Sequence, residues 1–166
     1  MAGTEPLDVY LDDHLAGSAA AVELVERIRD NNEDTALASH MEGLLRDIEA
    51  DRTTLSAVME ALGVSRSTSK QVAGKVLESL SRFRLSDRVT GDEDVTRLME
   101  LETLSLGIEG KLALWRSLGQ VVASRPVLAD FDLPALADRA VKQRARVEPF
   151  RLQAAAKAFT PSEPEA

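Results

Sequence analysis

The stretch Leu98–Arg116, LMELETLSLGIEGKLALWR, decides how this chain folds. Its leucines recur at helical spacing with no proline among them, and the pattern extends the helix from about Asp94 to Val122. Projected at roughly 100° per residue, one arc of that helix runs through Leu98, Ser105, Leu106, Leu112 and Ala113. Glu102 and Glu109 fall inside this arc, with Arg116 a further seven residues on. A carboxylate held in an apolar interior needs a metal, a base or a neutralising proton, because an isolated buried charge costs more than a domain can spare.

Outward from this helix the periodicity gives three more of similar length. The first runs from about Pro6 to Arg29, with Leu7, Leu11, Leu15, Ser18, Val22, Val25 and Ile28 on one face, and stops at Asp30, Asn31 and Asn32. That polar cluster also offers an N-cap to the second helix, about Glu33 to Leu62. The second helix repeats Leu37, Met41, Leu44, Ile48, Leu55, Met59 and Leu62 and ends at Gly63. So short a connection makes these two helices antiparallel neighbours. A Ser-rich segment follows, with a short amphipathic helix at about Ser67–Phe83. The central helix then opens at Thr90 with Glu93 in capping-box spacing. After a turn from Arg125 to Asp132 the last helix runs from Leu133 to about Phe159, and Pro149 is expected to kink or shorten it.

A chain of 166 residues forms one domain, here residues 1–159, with a disordered tail at 160–166. Aromatics make up only 4% of the residues, which favours closely packed helices over a sheet. The net charge of −8 argues against nucleic acid and anionic membrane surfaces as partners. The absence of cysteine excludes disulfides, thiolate catalysis and Fe–S clusters. No segment has the length and composition of a signal or a membrane span, so the expected address is cytoplasmic.

Two long helices, a long crossover holding a short helix, and two more long helices form the connectivity of the ferritin-like bundle. Through Asp8–Glu23 (DVYLDDHLAGSAAAVE), Arg46–Leu55 (RDIEADRTTL) and Leu98–Arg116, the chain resembles uncharacterised bacterial ferritin-like proteins over about residues 6–158. The resemblance implies an all-α, ferritin-like antiparallel four-helix bundle with a long crossover, and a homodimer formed through helices one and two.

Each long helix places polar residues toward its apolar face: His14 on the first, Asp51 on the second with Asp47 and His40 nearer its edge, Glu102, Glu109 and Arg116 on the third, and Arg144, Glu148 and Arg151 on the last. Two readings follow. In the first, Arg116, Arg144 and Arg151 neutralise Asp51, Glu102, Glu109 and Glu148 in a buried ion-pair network. The protein is then a non-catalytic bundle with no cofactor. In the second, His14, Asp47, Asp51, Glu102, Glu109 and Glu148 supply ligands for two iron or manganese ions in an oxidase or in a peroxide- or iron-handling protein. The second reading lacks the Glu-x-x-His pairs that such sites draw from two helices, since the sequence contains no such motif.

His14 reads more simply as a core histidine bonded to Ser18 or to a carboxylate, and His40 as a solvated side chain. Tyr10 and Trp115 read as packing anchors with a hydrogen-bonding tip. Gly17, Gly107 and Gly110 suggest close helix contact. Lys70, Lys75, Arg82, Arg84 and Arg88 make the crossover locally basic. The acidic, proline-containing tail offers a third reading, docking to a partner protein.

Overall fold

The computed structural model describes residues 5–64 and 92–160. Over these residues every regular element is helical: α1 (Pro6–Asp30), α2 (Ala36–Ala61), α3 (Glu93–Gly119), a 3-10 turn (Pro126–Asp130) and α4 (Leu133–Phe159). The helix expected at 67–83, the basic cluster around it and the tail at 161–166 lie outside the described residues.

The helix ends are set by short-range chemistry. Thr35, rather than the Asp30–Asn32 cluster, caps α2 by accepting from the Ala38 amide at 3.2 Å. The cluster serves α1 instead, where the buried Asn32 side chain donates to the Ile28 carbonyl at 2.6 Å. Asp92, rather than Thr90, caps α3 through the amides of Asp94 and Val95. Gly63 terminates α2 with φ of 70°, and the amides of Gly63 and Val64 return to the carbonyls of Glu60 and Met59. These paired bonds form a Schellman turn, which favours the residue without a Cβ.

Two apolar layers stack along the bundle. One joins Leu24 and Ile28 of α1, Leu37 and Met41 of α2, Leu98 and Leu101 of α3, and Val147 and Ala154 of α4. The other joins Leu11, Val58 and Met59, Leu114 and Trp115, and Leu128 and Leu133. The late part of α1 and the early part of α2 therefore share a layer with the early part of α3 and the late part of α4. It follows that α1 and α4 run one way and α2 and α3 the other. Contacts are most extensive between α3 and α4, then between α1 and α2, then between α1 and α3, with α2 touching α4 lightly. Around the bundle the order is α1, α2, α4, α3, and every neighbour is antiparallel.

The buried faces of α1 and α2 match the sequence reading, including Leu11, Val25 and Ile28 on one and Leu37, Met41, Leu44, Ile48, Leu55 and Met59 on the other. Those of α3 and α4 are displaced from it by one residue. On α3 the buried row is Leu98, Leu101, Leu104, Ile108, Leu112, Trp115 and Leu118, and on α4 it is Ala140, Gln143, Val147 and Ala154. One residue is a rotation of about 100°, enough to carry Glu102, Glu109, Arg144 and Arg151 out of the interior. Leu106, placed on the arc by the sequence reading, is 72% exposed. Apolar residues on more than one side of α3 allowed either phase, and packing chose the row with more large side chains.

α4 continues through Pro149 to Phe159 without a break. The proline deprives the Ala145 carbonyl of its helical donor, but both residues are exposed, which leaves that carbonyl open to solvent. The ring still strains the helix. Pro149→Ala is expected to stabilise the fold by up to about 3 kcal/mol, read as a rise in thermal midpoint at unchanged helicity; an unchanged or lower midpoint contradicts this account.

Candidate functional site

The centre of the bundle holds one buried carboxylate, Asp51, 3% exposed. It sits on α2 among Ile48, Leu55 and Val58, and both of its oxygens are occupied. Oδ2 accepts from Lys111 Nζ at 2.5 Å and from Gln143 Nε2 at 3.2 Å, while Oδ1 pairs with the Arg139 guanidinium. Lys111 Nζ also donates to Gln143 Oε1 at 2.5 Å. Three helices thus converge on a single carboxylate: α2 supplies it, α3 one cation, and α4 the second cation and the amide. Burial pulls the Lys111 amine below its usual range, and Asp51 acts against that pull.

Lys111, Arg139 and Gln143 were not singled out in the sequence, although their spacing carried the signal. Lys111 completes the row Leu104, Ile108, Lys111, Trp115, Leu118, and Gln143 lies between Ala140 and Val147. A second buried acid, Glu100 at 5% exposure, pairs with Arg27 of α1 at 2.8 Å.

The expected core network is in fact a surface ladder along the α3–α4 seam. Arg144 bonds Glu109 at 2.8 Å and Ser105 at 3.4 Å, and Arg151 bonds Glu148 at 2.6 Å and Glu102 at 3.3 Å. Glu102 and Glu109 keep about half of their side-chain surface. These are the partners foreseen between α3 and α4, standing in water because both helices are turned by the same one residue. Arg116 is exposed and belongs to neither network. Asp47 lies with His40 and Arg146 in a depression that Gln143 also lines, next to the Asp51 cluster, and its charge acts on Lys111 without a hydrogen bond to it. His40 is half-buried against the Phe150 ring at 5.1 Å rather than solvated, and burial lowers its pKa, with Arg146 adding to the effect.

Beside the Asp51 cluster, α1, α2 and α3 line a half-open cavity of about 220 Å³. Its α1 wall is His14, Gly17, Ser18 and Ala21; α2 adds Ile48, Asp51 and Leu55; α3 adds Gly107, Gly110, Lys111 and Trp115. The glycines do not bring helices into contact: a Cβ built on Gly17, Gly107 or Gly110 meets nothing within 4 Å. They leave space. His14 bonds neither Ser18, whose hydroxyl donates to the Leu15 carbonyl, nor Asp51; its ring stands edge-on to Tyr10 at 4.6 Å. Burial lowers the His14 pKa against the opposing charge of Asp13. Trp115 is 1% exposed, and its indole Nε1 has no acceptor among the described residues.

As a cation site this centre is a poor fit. Asp51 is the one buried acid in the cluster, and Lys111, Arg139 and Gln143 already engage both of its oxygens. Among the described residues no three His, Asp or Glu side chains gather as a ligand set. His14 and Asp51 both line the cavity, but Glu102, Glu109 and Glu148 stand on the outer seam, and Asp47 lies in the neighbouring depression beyond Gln143. Among the described residues, no helix is long and apolar enough to cross a membrane. No protein-family model, curated protein or solved structure matches the chain.

Removing Asp51 leaves the mostly buried Lys111 ammonium without its counter-ion, so Asp51→Ala should cost about 3–5 kcal/mol. Glu109→Ala at the exposed seam should cost under about 1 kcal/mol. Urea unfolding at neutral pH measures both, and comparable losses would contradict the assignment of interior and surface. Acid should also expose the buried rings. The unfolded chain takes up protons near the free histidine value of about 6.5, whereas the buried rings resist protonation. Their contribution is therefore complete above that value and lost as pH falls toward the lowered folded pKa. The thermal midpoint should drop between pH 7 and 5.5, and His14→Gln with His40→Gln should flatten that part of the decline.

Proposed function

We propose that the chain is a non-catalytic, ferritin-like bundle protein in which side-chain cations occupy the place that metal ions hold in ferritin-like relatives. One observation carries the reading: the only acid at the bundle centre among the described residues, Asp51, has both oxygens occupied by Lys111, Arg139 and Gln143. A cation entering there would have to displace one amine or guanidinium and would meet the other at close range. The substitution follows the logic of the buried arginine network expected from the sequence, with Lys111 and Arg139 in the roles given to Arg116, Arg144 and Arg151.

The antiparallel order α1, α2, α4, α3, with α2 and α3 running the same way, supports the ferritin-like connectivity. A homodimer through α1 and α2 draws less support. The large apolar side chains exposed among the described residues are Val9 on α1, Met99 and Leu106 on α3, and Val141, Leu152 and Phe159 on α4, with none on α2.

Expression in medium supplemented with iron and manganese, followed by elemental analysis of the full chain, tests the proposal. The expected content is far below one metal per chain, unchanged in Asp51→Asn. Stoichiometric iron or manganese in the purified protein, lost in Asp51→Asn, would overturn it.

A further inference from the structure

Of the six large apolar side chains exposed among the described residues, five stand on one face of the bundle. Residues three or four apart on a helix share a side, and on α3 Met99 and Leu106 lie at that spacing from Glu102, as Leu106 does from Glu109. On α4 Val141 lies so from Arg144 and Leu152 from Glu148, and Phe159 follows Leu152 by two turns. All five therefore flank the ladder of acids and arginines on the α3–α4 seam. The pairs Glu109–Arg144 and Glu102–Arg151 fix the relative heights of the two helices. The stripe accordingly runs Val141, Leu106, Leu152, Met99, Phe159, alternating between helices over about 27 Å. Val9 on α1 is the sixth, and α2 has none.

Scattered apolar residues on a surface need no explanation, whereas five gathered on one face, 42% to 72% exposed, do. At these exposures, side chains of this size together offer on the order of 500 Å² of apolar surface. That is close to the apolar share of a standard interface, which buries about 800 Å² per partner and in homodimers is about 65% apolar. Charge selects the occupant. The chain carries a net charge of −8, yet along the seam three acids meet two arginines, all paired within the chain. A second copy therefore meets little repulsion there. Glu102 and Glu109 also lie on the α3 side of the seam and both arginines on the α4 side, where the one acid, Glu148, is held by Arg151 at 2.6 Å. A two-fold axis parallel to the helices lays α3 against α4 of the second copy at equal height, and so brings Glu109 to Arg144 and Glu102 to Arg151 across the join. We propose that the α3–α4 face is a homodimer interface, self-complementary in both its apolar stripe and its charge ladder.

Sedimentation of the full chain across micromolar concentrations is the test. An interface of standard size with charge along its middle should give a dimer that dissociates in the micromolar range. Leu106→Glu with Leu152→Glu changes only exposed positions, and should raise the dissociation constant at least about a hundredfold with helicity kept. Thr53→Glu, on the exposed face of α2, should leave it unchanged, which separates this face from one formed by α1 and α2. Charge reversal checks the symmetry without touching the stripe. Glu102→Arg with Glu109→Arg in one protein, and Arg144→Glu with Arg151→Glu in another, should each be monomeric alone and should pair when mixed. A wild-type chain that stays monomeric throughout would overturn the proposal and assign the stripe to another segment of the chain or to a different protein. A dimer retained by the folded Leu106→Glu, Leu152→Glu protein, a dimer lost in Thr53→Glu, or charge-reversed proteins that fail to pair would overturn it equally. Metal content enters none of these readouts, so the dimer and the reading of the bundle centre are tested separately.

Discussion

The interior of this bundle is organised around one obligation, the satisfaction of the Asp51 carboxylate. Once α2 buries that side chain among leucines and methionines, charge must come to it from other helices, because solvent does not reach it. Lys111 arrives from α3 and Arg139 and Gln143 from α4, so the cost of removing one charge from water is met by groups on helices distant in sequence. A neutral amide bridging the lysine and the carboxylate also matters. Gln143 donates to the carboxylate and accepts from the lysine, which leaves both of its polar atoms bonded and lets a partly buried amine remain beside a carboxylate without an orphan acceptor.

The two networks on α3 differ in physical character although both join acids to bases. At the centre, low polarity makes each hydrogen bond strong and each omission expensive. Along the outer seam, Glu102, Glu109, Arg144, Glu148 and Arg151 exchange attraction for side-chain entropy in high dielectric, with little net gain. The first sets which structure forms; the second covers the join between two helices that would have packed without it.

Much of the architecture was legible in the amino-acid order. The spans of α1 and α4, the faces of α1 and α2, the Gly63 stop and the inward position of Asp51 follow from periodicity and local capping rules. The phase of α3 was not legible, because Leu98 and Leu112 lie on the shared edge of two possible stripes and single-helix projection cannot say which stripe meets a neighbour. The error was self-consistent. Both α3 and α4 were read one residue late, and the misplaced carboxylates and arginines still faced each other, so nothing in the pattern exposed it. The cavity was illegible for a related reason: Gly17, Gly107 and Gly110 look the same in sequence whether they admit a neighbouring backbone or leave a gap.

The pairing of Glu100 with Arg27 gives α3 a second fixed point, at a different height from Lys111 and toward a different helix. A column of leucines alone would tolerate translation along the axis, since sliding by a turn of about 5.4 Å replaces one leucine with another. Two point charges locked to partners on α1 and α2 remove that freedom: any such slip separates both couples together. These acids therefore act as vernier marks, setting the vertical alignment of α3 against its neighbours where hydrocarbon packing by itself is indifferent.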